Sequence, residues 1–467
     1  MKGRKQKMSY DNYLQRNRAE PEDYVGVQTF MWITENNLTS LEQTGYGMLE
    51  QILSPTNLNA AYKRVKQNKG SGGIDAMEVE SLKDYLIKEK ERLIATILEG
   101  KYRPNPVRRV EIPKENGKKR QLGIPTVVDR VIQQALTQVL SPIYEKQFSL
   151  HSYGFRPKRS AHQALGQCQR HITEGYVYAV DMDLEKFFDT VNQSKLVEVL
   201  SRTIKDGRVI SLVHKYLQAG VVVGNKFEQT TVGVPQGGPL SPLLSNIMLN
   251  ELDRELETRG HRFVRYADDL MILCKSKRSA VRTMENLVPY IEKKLFLKVN
   301  REKSTVAYIT KVKFLGHSFY KRKGEGRLRI HPKSVEKMRT KIRELTSRSN
   351  GWGNVRRKES LRQYIIGWVN YFKNADMKKL VKETDEWYRR RLRMVLWKQW
   401  KRTSTKRDNL MKLGIARSKA WEYANTRKGH WHTANSWILS TSVTNERLRQ
   451  AGYLFLGDYY LNVRKLN

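Results

Sequence analysis

Two adjacent carboxylates, Asp268 and Asp269, stand between the apolar runs Phe263-Val264-Arg265-Tyr266 and Leu270-Met271-Ile272-Leu273-Cys274. Runs of that length and composition form strands, so the segment predicts a β-hairpin with the acid pair at its turn. A hairpin tip is a poor place to bury charge and a good place to hold a divalent cation. Ligands of this kind suit Mg²⁺, which takes one or two carboxylates and leaves its other positions to water and phosphate. The plain alternative is an exposed Asp-Asp turn, because short motifs also match by chance.

A second acid cluster follows the β-rich run Tyr176-Val177-Tyr178-Ala179-Val180, with Asp181, Asp183, Glu185 and Asp189 close together. Asp183 falls where the strand should end, and a strand end lets a catalytic group reach substrate while the sheet holds it still. Asp181 or Asp189 could instead cap the next helix. Upstream, Val107–Lys114 and Lys119–Ile124 flank Asn116-Gly117, a strong hairpin signal. That hairpin carries Arg108, Arg109, Lys114, Lys118, Lys119 and Arg120 with few acids to offset them. It reads either as a merely soluble hairpin or as a basic fingertip that clamps a triphosphate, with Lys114 and Arg120 gripping the phosphates.

Other stretches have polar groups that could contact a nucleic acid. In Ser152–Ser160, Tyr153 and Arg156 could face bases and phosphates, or the stretch could be a packed loop. In Gly233–Pro242, Gln236 is the one side chain that could hydrogen-bond to a base or nucleotide. Ser241-Pro242 then reads as a helix start with Ser241 as its cap. Residues 195–225 read as helix then strand, and Leu297–Ser304 as a strand and basic loop. His317 lacks a metal-like partner in the sequence around it and reads as structural.

These segments need a scaffold, and the chain is long enough to supply one. Its 467 residues allow two to four domains. Lys and Arg number 87 against 47 Asp and Glu, a formal charge of +40. That excess calls for a polyanionic partner, most simply nucleic acid, bound with strong salt dependence. An anionic membrane surface competes as an explanation, but the sequence has no lipidation motif and no apolar run long enough to span a bilayer. The only cysteines, Cys168 and Cys274, offer neither a disulfide framework nor a Cys-based zinc site, which fits a reducing, cytoplasmic setting. From about residue 331 the pattern is helical with basic opposite faces, and the densest positive stretch includes Arg390 and Arg393. The last 60 or so residues read as a small globular region of unassigned class.

Three aspartates from two strand ends, a basic hairpin and this charge together suggest one chemistry. Two metal ions would stabilise the attacking 3′-hydroxyl and the leaving phosphate oxygen of an in-line displacement. Asp183 and Asp268 would bridge them, with Asp269 nearby and the Leu184 carbonyl as a further oxygen.

At this point a resemblance is plain. Tyr266-Ala267-Asp268-Asp269 resembles the YxDD box of reverse transcriptases, Asp183-Leu184-Glu185-Lys186-Phe187-Phe188 their first aspartate motif, and Gly233-Val234-Pro235-Gln236-Gly237 their template-contacting loop. Ile112-Pro113-Lys114, Leu122–Thr126, Ser152–Pro157 and Gly367-Trp368-Val369-Asn370-Tyr371-Phe372 are similar to group II intron reverse transcriptase/maturases.

The resemblance implies an α+β right-hand polymerase. Its parts would be an extension over 1–45, fingers over 46–175, a palm with an antiparallel sheet over 176–325, a helical thumb or maturase domain over 326–402, and a DNA-binding region over 403–467. It implies an RNA-directed DNA polymerase, a nucleotidyltransferase using two Mg²⁺ ions with Mn²⁺ as substitute. It implies dNTP contacts from Arg108, Lys114, Arg120, Phe188, Gln236 and Lys303, with the Phe188 ring screening the sugar 2′ position. Template or RNA contacts would come from Tyr153, Arg156, Pro235, Gly237, Trp368, Arg390 and Arg393. The implied partners are the host group II intron RNA, an RNA template with its DNA primer, target DNA and dNTPs, and no membrane. The implied setting is a ribonucleoprotein in the bacterial cytoplasm that assists splicing and retrohoming. With no cysteine beyond Cys274, a C-terminal endonuclease with paired cysteines is not expected. A splicing factor with a retired polymerase site, or a reverse transcriptase serving another system, are the competing readings.

Overall fold

A computed structural model describes residues 47–113, 117, 119–224 and 226–465. Lys114 and the extension over 1–45 lie outside the described residues. The chain forms two compact units. One takes in the described residues up to Val312 together with Lys323–Gly326; the other comprises Lys313–Arg322 and the chain from Arg327 onward.

The first unit opens with helices α1 (Met48–Leu53) and α2 (Pro55–Asn68), separated where Ser54 caps α2 and Pro55 occupies its first position. Helix α3 (Leu82–Leu98) leads to the hairpin β1 (Val107–Pro113) and β2 (Lys119–Ile124), and then come α4 (Val127–Glu145) and α5 (Ala161–Thr173). Strand β3 (Tyr178–Met182) is followed by α6 (Phe187–Thr190), α7 (Gln193–Thr203), α8 (Gly207–Leu217), and the short strands β4 (Val221–Val223) and β5 (Lys226–Glu228). Residues 195–225 are therefore two helices and a strand; the break between the helices is Asp206, whose side chain accepts from the Arg208 amide. The unit closes with α9 (Ser241–Thr258), β6 (Arg262–Tyr266), β7 (Asp269–Cys274), α10 (Lys277–Lys293) and β8 (Thr305–Tyr308).

Two four-stranded sheets result, ordered β2-β1-β4-β5 and β6-β7-β3-β8. The second is antiparallel throughout. The first contains a parallel pair, β1 with β4, so the sheets are not all antiparallel. Beneath the second sheet lies a continuous apolar core. Val180, Met182, Leu270 and Ile272 of the strands share it with Leu243, Ile247, Met248 and Leu252 of α9 and Leu287 and Ile291 of α10. Each buried aliphatic side chain of this kind contributes about 1.5–3 kcal/mol. That core packs directly behind the strands whose ends carry the acids.

Two local readings are corrected. Ser241 is the first residue of α9, after Leu240, and its hydroxyl donates to the Pro235 carbonyl at 2.5 Å instead of capping the helix. Residues 297–304 form a turn with one isolated bridge at Val299, and the strand begins at Thr305.

The second unit begins with β9 (His317–Arg322), paired with β10 (Glu325–Ile330). Three long helices follow: α11 (Pro332–Leu345), α12 (Asn354–Phe372) and α13 (Lys378–Gln399). The region beyond is helical, with α14 (Thr403–Lys412), α15 (Arg417–Ala424), α16 (His430–Thr433), α17 (Trp437–Ser442), α18 (Asn445–Gln450) and α19 (Leu456–Lys465). His317 is buried, stacks on Phe372 at 4.8 Å and hydrogen-bonds with the Leu315 carbonyl, as a structural histidine should. No helix among the described residues is long and apolar enough to cross a membrane.

Asp385 of α13 ties the last helix down. Its two carboxylate oxygens accept the Leu456 and Gly457 amides at 2.9 and 2.8 Å. Burial pushes its pKa up to about 6, against those hydrogen bonds, which pull the other way. A carboxyl raised on folding adds stability in full below its ordinary pKa, and that stability is lost as pH rises through the folded value. Relative to Asp385→Asn, wild type should lose on the order of 2–3 kcal/mol between pH 4 and pH 7. Urea unfolding of both proteins across that range checks it, and parallel stability curves would contradict it.

Candidate active site

Strands β3 and β7 are the middle pair of their sheet, and their last registered pair is Met182 with Leu270. The next residue toward that end of each strand is an acid, Asp183 just beyond β3 and Asp269 at the start of β7. Tyr266 pairs with Asp269, so Ala267 and Asp268 form a two-residue hairpin loop. Such loops need a positive φ to match strand twist, and Ala267 supplies it at 57°. The acids thus meet at one end of a buried sheet.

The turn is held from below by a residue the sequence reading passed over. Arg265 lies in β6 yet is fully buried. Its guanidinium grips Asp253 of α9 at 2.7 and 2.5 Å, and donates to Asn246 Oδ1 and the Ala267 carbonyl, both at 2.9 Å. Its backbone pairs with His151 and Tyr153, each at 2.9 Å. Gly154 abuts the Ala267 backbone so closely that a Cβ would collide with the Ala267 amide nitrogen. A charged residue inside an apolar strand was the available signal for Arg265. Its partner, twelve residues earlier on a helix, could not be read from local pattern.

The electrostatics favour a cation. Asp268 has solvent-accessible surface, but the protein crowds its carboxyl. Its pKa is raised, first by withdrawal from water and then by the Asp183 charge, while a backbone hydrogen bond, Arg120 and Arg265 oppose the shift. Asp183 Oδ2 receives the Lys303 ammonium at 3.1 Å. Among the described residues no cluster of three or more His, Cys, Asp or Glu forms a metal cage. Two mutually repelling carboxylates, one already drawing an ammonium, are nonetheless a donor set that suits a hard divalent ion completing its shell with water and phosphate.

The structure brings several other expected residues to this end of the sheet and moves others away. Arg120 Nε donates to Gln236 Oε1 at 3.3 Å, and the Gly123 amide donates to the Gln236 carbonyl at 2.6 Å. Gly237 has φ +117° and lies against the Gly123 carbonyl, so that close approach excludes a side chain. Pro235 offers its carbonyl to Ser241. Phe188 is buried edge-to-face on Phe187, and its carbonyl accepts the Val234 amide at 2.6 Å. Leu184 bridges to Val299. Within the basic hairpin, Lys119 pairs with Glu111 at 2.5 Å and Arg109 with Glu228 at 3.5 Å. Arg108 is turned to the glycine loop, donating to the Gly72 carbonyl at 2.8 Å.

Three expected RNA contacts are interior. Arg156 is 4% exposed and is chelated by Glu145, with the Ser149 and Ser152 carbonyls completing its shell. Withdrawing it to reach a phosphate would leave Glu145 unpaired. Tyr153 is buried beneath Arg159. Trp368 is buried against Phe372. In the second unit Arg393 is half-buried and bound to the Val443 carbonyl and Asn445, so its charge is largely committed to the fold. Arg390 lies 3.9 Å over the Trp431 ring and donates to that residue's carbonyl.

Asp268 on a two-residue hairpin loop, Asp269 beside it, a third acid at the end of the adjacent middle strand, and a basic hairpin nearby form an arrangement that nucleotidyl transfer can use. Comparison with known proteins agrees. Residues 112–319 match the family Reverse transcriptase (RNA-dependent DNA polymerase), and residues 335–414 match Group II intron, maturase-specific domain. Protein YkfC of Escherichia coli K12 is 33% identical over 325 residues, covering 61% of this chain and 85% of YkfC. Group II intron-encoded protein LtrA of Lactococcus lactis subsp. cremoris is 29% identical, covering 74% of this chain and 71% of LtrA. A solved Cas6-RT-Cas1–Cas2 complex overlaps 88% of this chain at 14% identity and a TM-score of 0.36; the chain spans 60% of that chain, and so loose an overlap carries no argument. The chain belongs to the reverse transcriptases that carry a group II intron maturase domain. It is an RNA-directed DNA polymerase, and its substrates are nucleic acids.

Proposed function

We propose that the chain copies RNA at the Asp183–Asp268 site by in-line attack of a primer 3′-hydroxyl on an incoming dNTP, and that it binds its host group II intron RNA to assist splicing and target-primed insertion into DNA. The observation that carries this is the meeting of Asp183 and Asp268 with the charges of Lys303 and Arg120 at one rigid sheet end. Mg²⁺, as two ions and with Mn²⁺ able to replace it, would be held by Asp183, Asp268, Asp269 and the Leu184 carbonyl, and when bound would stabilise the attacking and leaving oxygens.

The protein's own groups do the rest. Arg120 and Lys303 neutralise the triphosphate, and Lys114 on the same hairpin joins them. Gln236, fixed by Arg120, orients the nucleotide or template base. Phe188 fills the space a ribose 2′-hydroxyl would need. Pro235 and Gly237 shape the loop beside the template. Arg390 contacts the RNA backbone. The fingers, palm, thumb and DNA-binding parts follow the boundaries 46–175, 176–325, 326–402 and 403–467, and the working form is a ribonucleoprotein in the bacterial cytoplasm.

The two activities should separate. Splicing of a precursor carrying the host intron, at low Mg²⁺, should be accelerated equally by wild type and Asp268→Ala, while only wild type makes cDNA. Failure of wild type to accelerate splicing would remove the maturase half of the proposal.

A further inference from the structure

Asp183 is clasped by a short turn. The Asn300 amide donates to the Asp183 carbonyl at 2.9 Å, and the Asp183 amide donates to Ser304 Oγ at 3.1 Å. The turn is closed on itself, with the Ser304 amide on the Asn300 carbonyl at 2.9 Å and the Lys303 amide on Asn300 Oδ1 at 3.3 Å. Both backbone polar groups of Asp183 are thus tied to the ends of one five-residue loop. That loop delivers the Lys303 ammonium to Asp183 Oδ2 at 3.1 Å. The Lys303 side chain is 63% exposed. An exposed ammonium on a four-carbon stem ordinarily stays in water, because ordering it costs side-chain entropy for a small Coulombic return. Here the clasp has already fixed its root beside the acid.

The carboxylate it meets is one that the polymerase reading assigns to metal. We propose that Lys303 is a tethered counter-ion for Asp183 which the divalent ion displaces, so that metal loading and release of the ammonium toward the triphosphate are a single event. This rests on the assignment of Asp183 as a metal ligand. Before loading, the ammonium offsets the repulsion between Asp183 and Asp268. With Asp183 holding a doubly charged ion, the Lys303 ammonium would lose its partner and be free to meet phosphate charge. The same side chain therefore opposes bare metal and favours metal accompanied by nucleotide.

The test uses the full chain without nucleic acid. Mn²⁺ is titrated and free Mn²⁺ is read by electron paramagnetic resonance for wild type, Lys303→Met, Lys303→Gln, Lys303→Arg and Asp183→Asn, with thermal unfolding confirming that each is folded. Removing one positive charge beside a divalent ion should tighten Mn²⁺ binding about five- to tenfold in Lys303→Met and Lys303→Gln. Lys303→Arg should match wild type, and Asp183→Asn should lose the ion. Unchanged or weaker binding in both neutral variants, with the ion still lost in Asp183→Asn, overturns the counter-ion role alone. Wild-type binding in Asp183→Asn overturns the ligand assignment and the inference with it.

Discussion

Arg265→Met should destabilise the first unit by about 3–5 kcal/mol, because it strands Asp253 as an uncompensated buried charge. Both side chains are essentially inaccessible, at 1% and 0% exposure. The guanidinium also satisfies Asn246 Oδ1 and the Ala267 carbonyl, and methionine can replace neither bond. Loss of the Ala267 contact frees the turn that carries Asp268, so polymerisation should fall further than the folded fraction does. The double variant Arg265→Met with Asp253→Leu removes both charges at once and should recover much of the stability, since an apolar pair of similar volume can replace a buried ion pair. Urea midpoints of the two variants decide it. A single variant as stable as wild type would mean that Arg265 does not hold the turn.

The second large effect concerns sugar selection. On the proposed reading, Phe188→Val should lower discrimination against rNTPs by about 10- to 200-fold, the range a few pocket methylenes command. The ring's backbone is locked: Val234 donates to the Phe188 carbonyl, and Gly233, at φ +92°, is packed against the Phe188 and Asp189 carbonyls. Truncation therefore removes ring volume while the backbone beside it stays anchored. Phe188→Ala should relax selection further but removes a buried ring, at a cost of about 3–5 kcal/mol in stability. The valine variant keeps the comparison interpretable. A ratio of dNTP to rNTP kcat/KM unchanged from wild type, measured on one RNA template, would assign 2′ screening to another group.

Local pattern made the site's centre legible. Two strand-length apolar runs around Asp268-Asp269 can fold compactly in few ways, and a two-residue loop between them fixes which residues sit at the tip. Asp183 was legible as the acid placed where a run of β-formers should end, one strand residue beyond Asp181. Patterns that mean two things were not legible. Aromatic and basic residues interleaved in Ser152–Ser160 describe a nucleic-acid surface and an internal Arg156–Glu145 chelate equally well, and only the distant Glu145 and the Ser149 carbonyl distinguish them. Trp368 likewise marks the packed face of α12 against Phe372. Arg108 and Arg120 share a hairpin and a charge, yet one turns to Gly72 and the other to Gln236, a difference of strand register that composition does not encode. The parallel pairing of β1 with β4 is a contact across more than a hundred residues and left no trace in either strand's composition.

The most direct measurement is primer extension on an RNA template with dNTPs and Mg²⁺, run on wild type and Asp268→Ala side by side. Wild type should make cDNA and the variant should make none while still binding structured RNA as tightly. If neither extends the primer and both bind RNA, the acids at the sheet end do not catalyse polymerisation, and the site account is wrong.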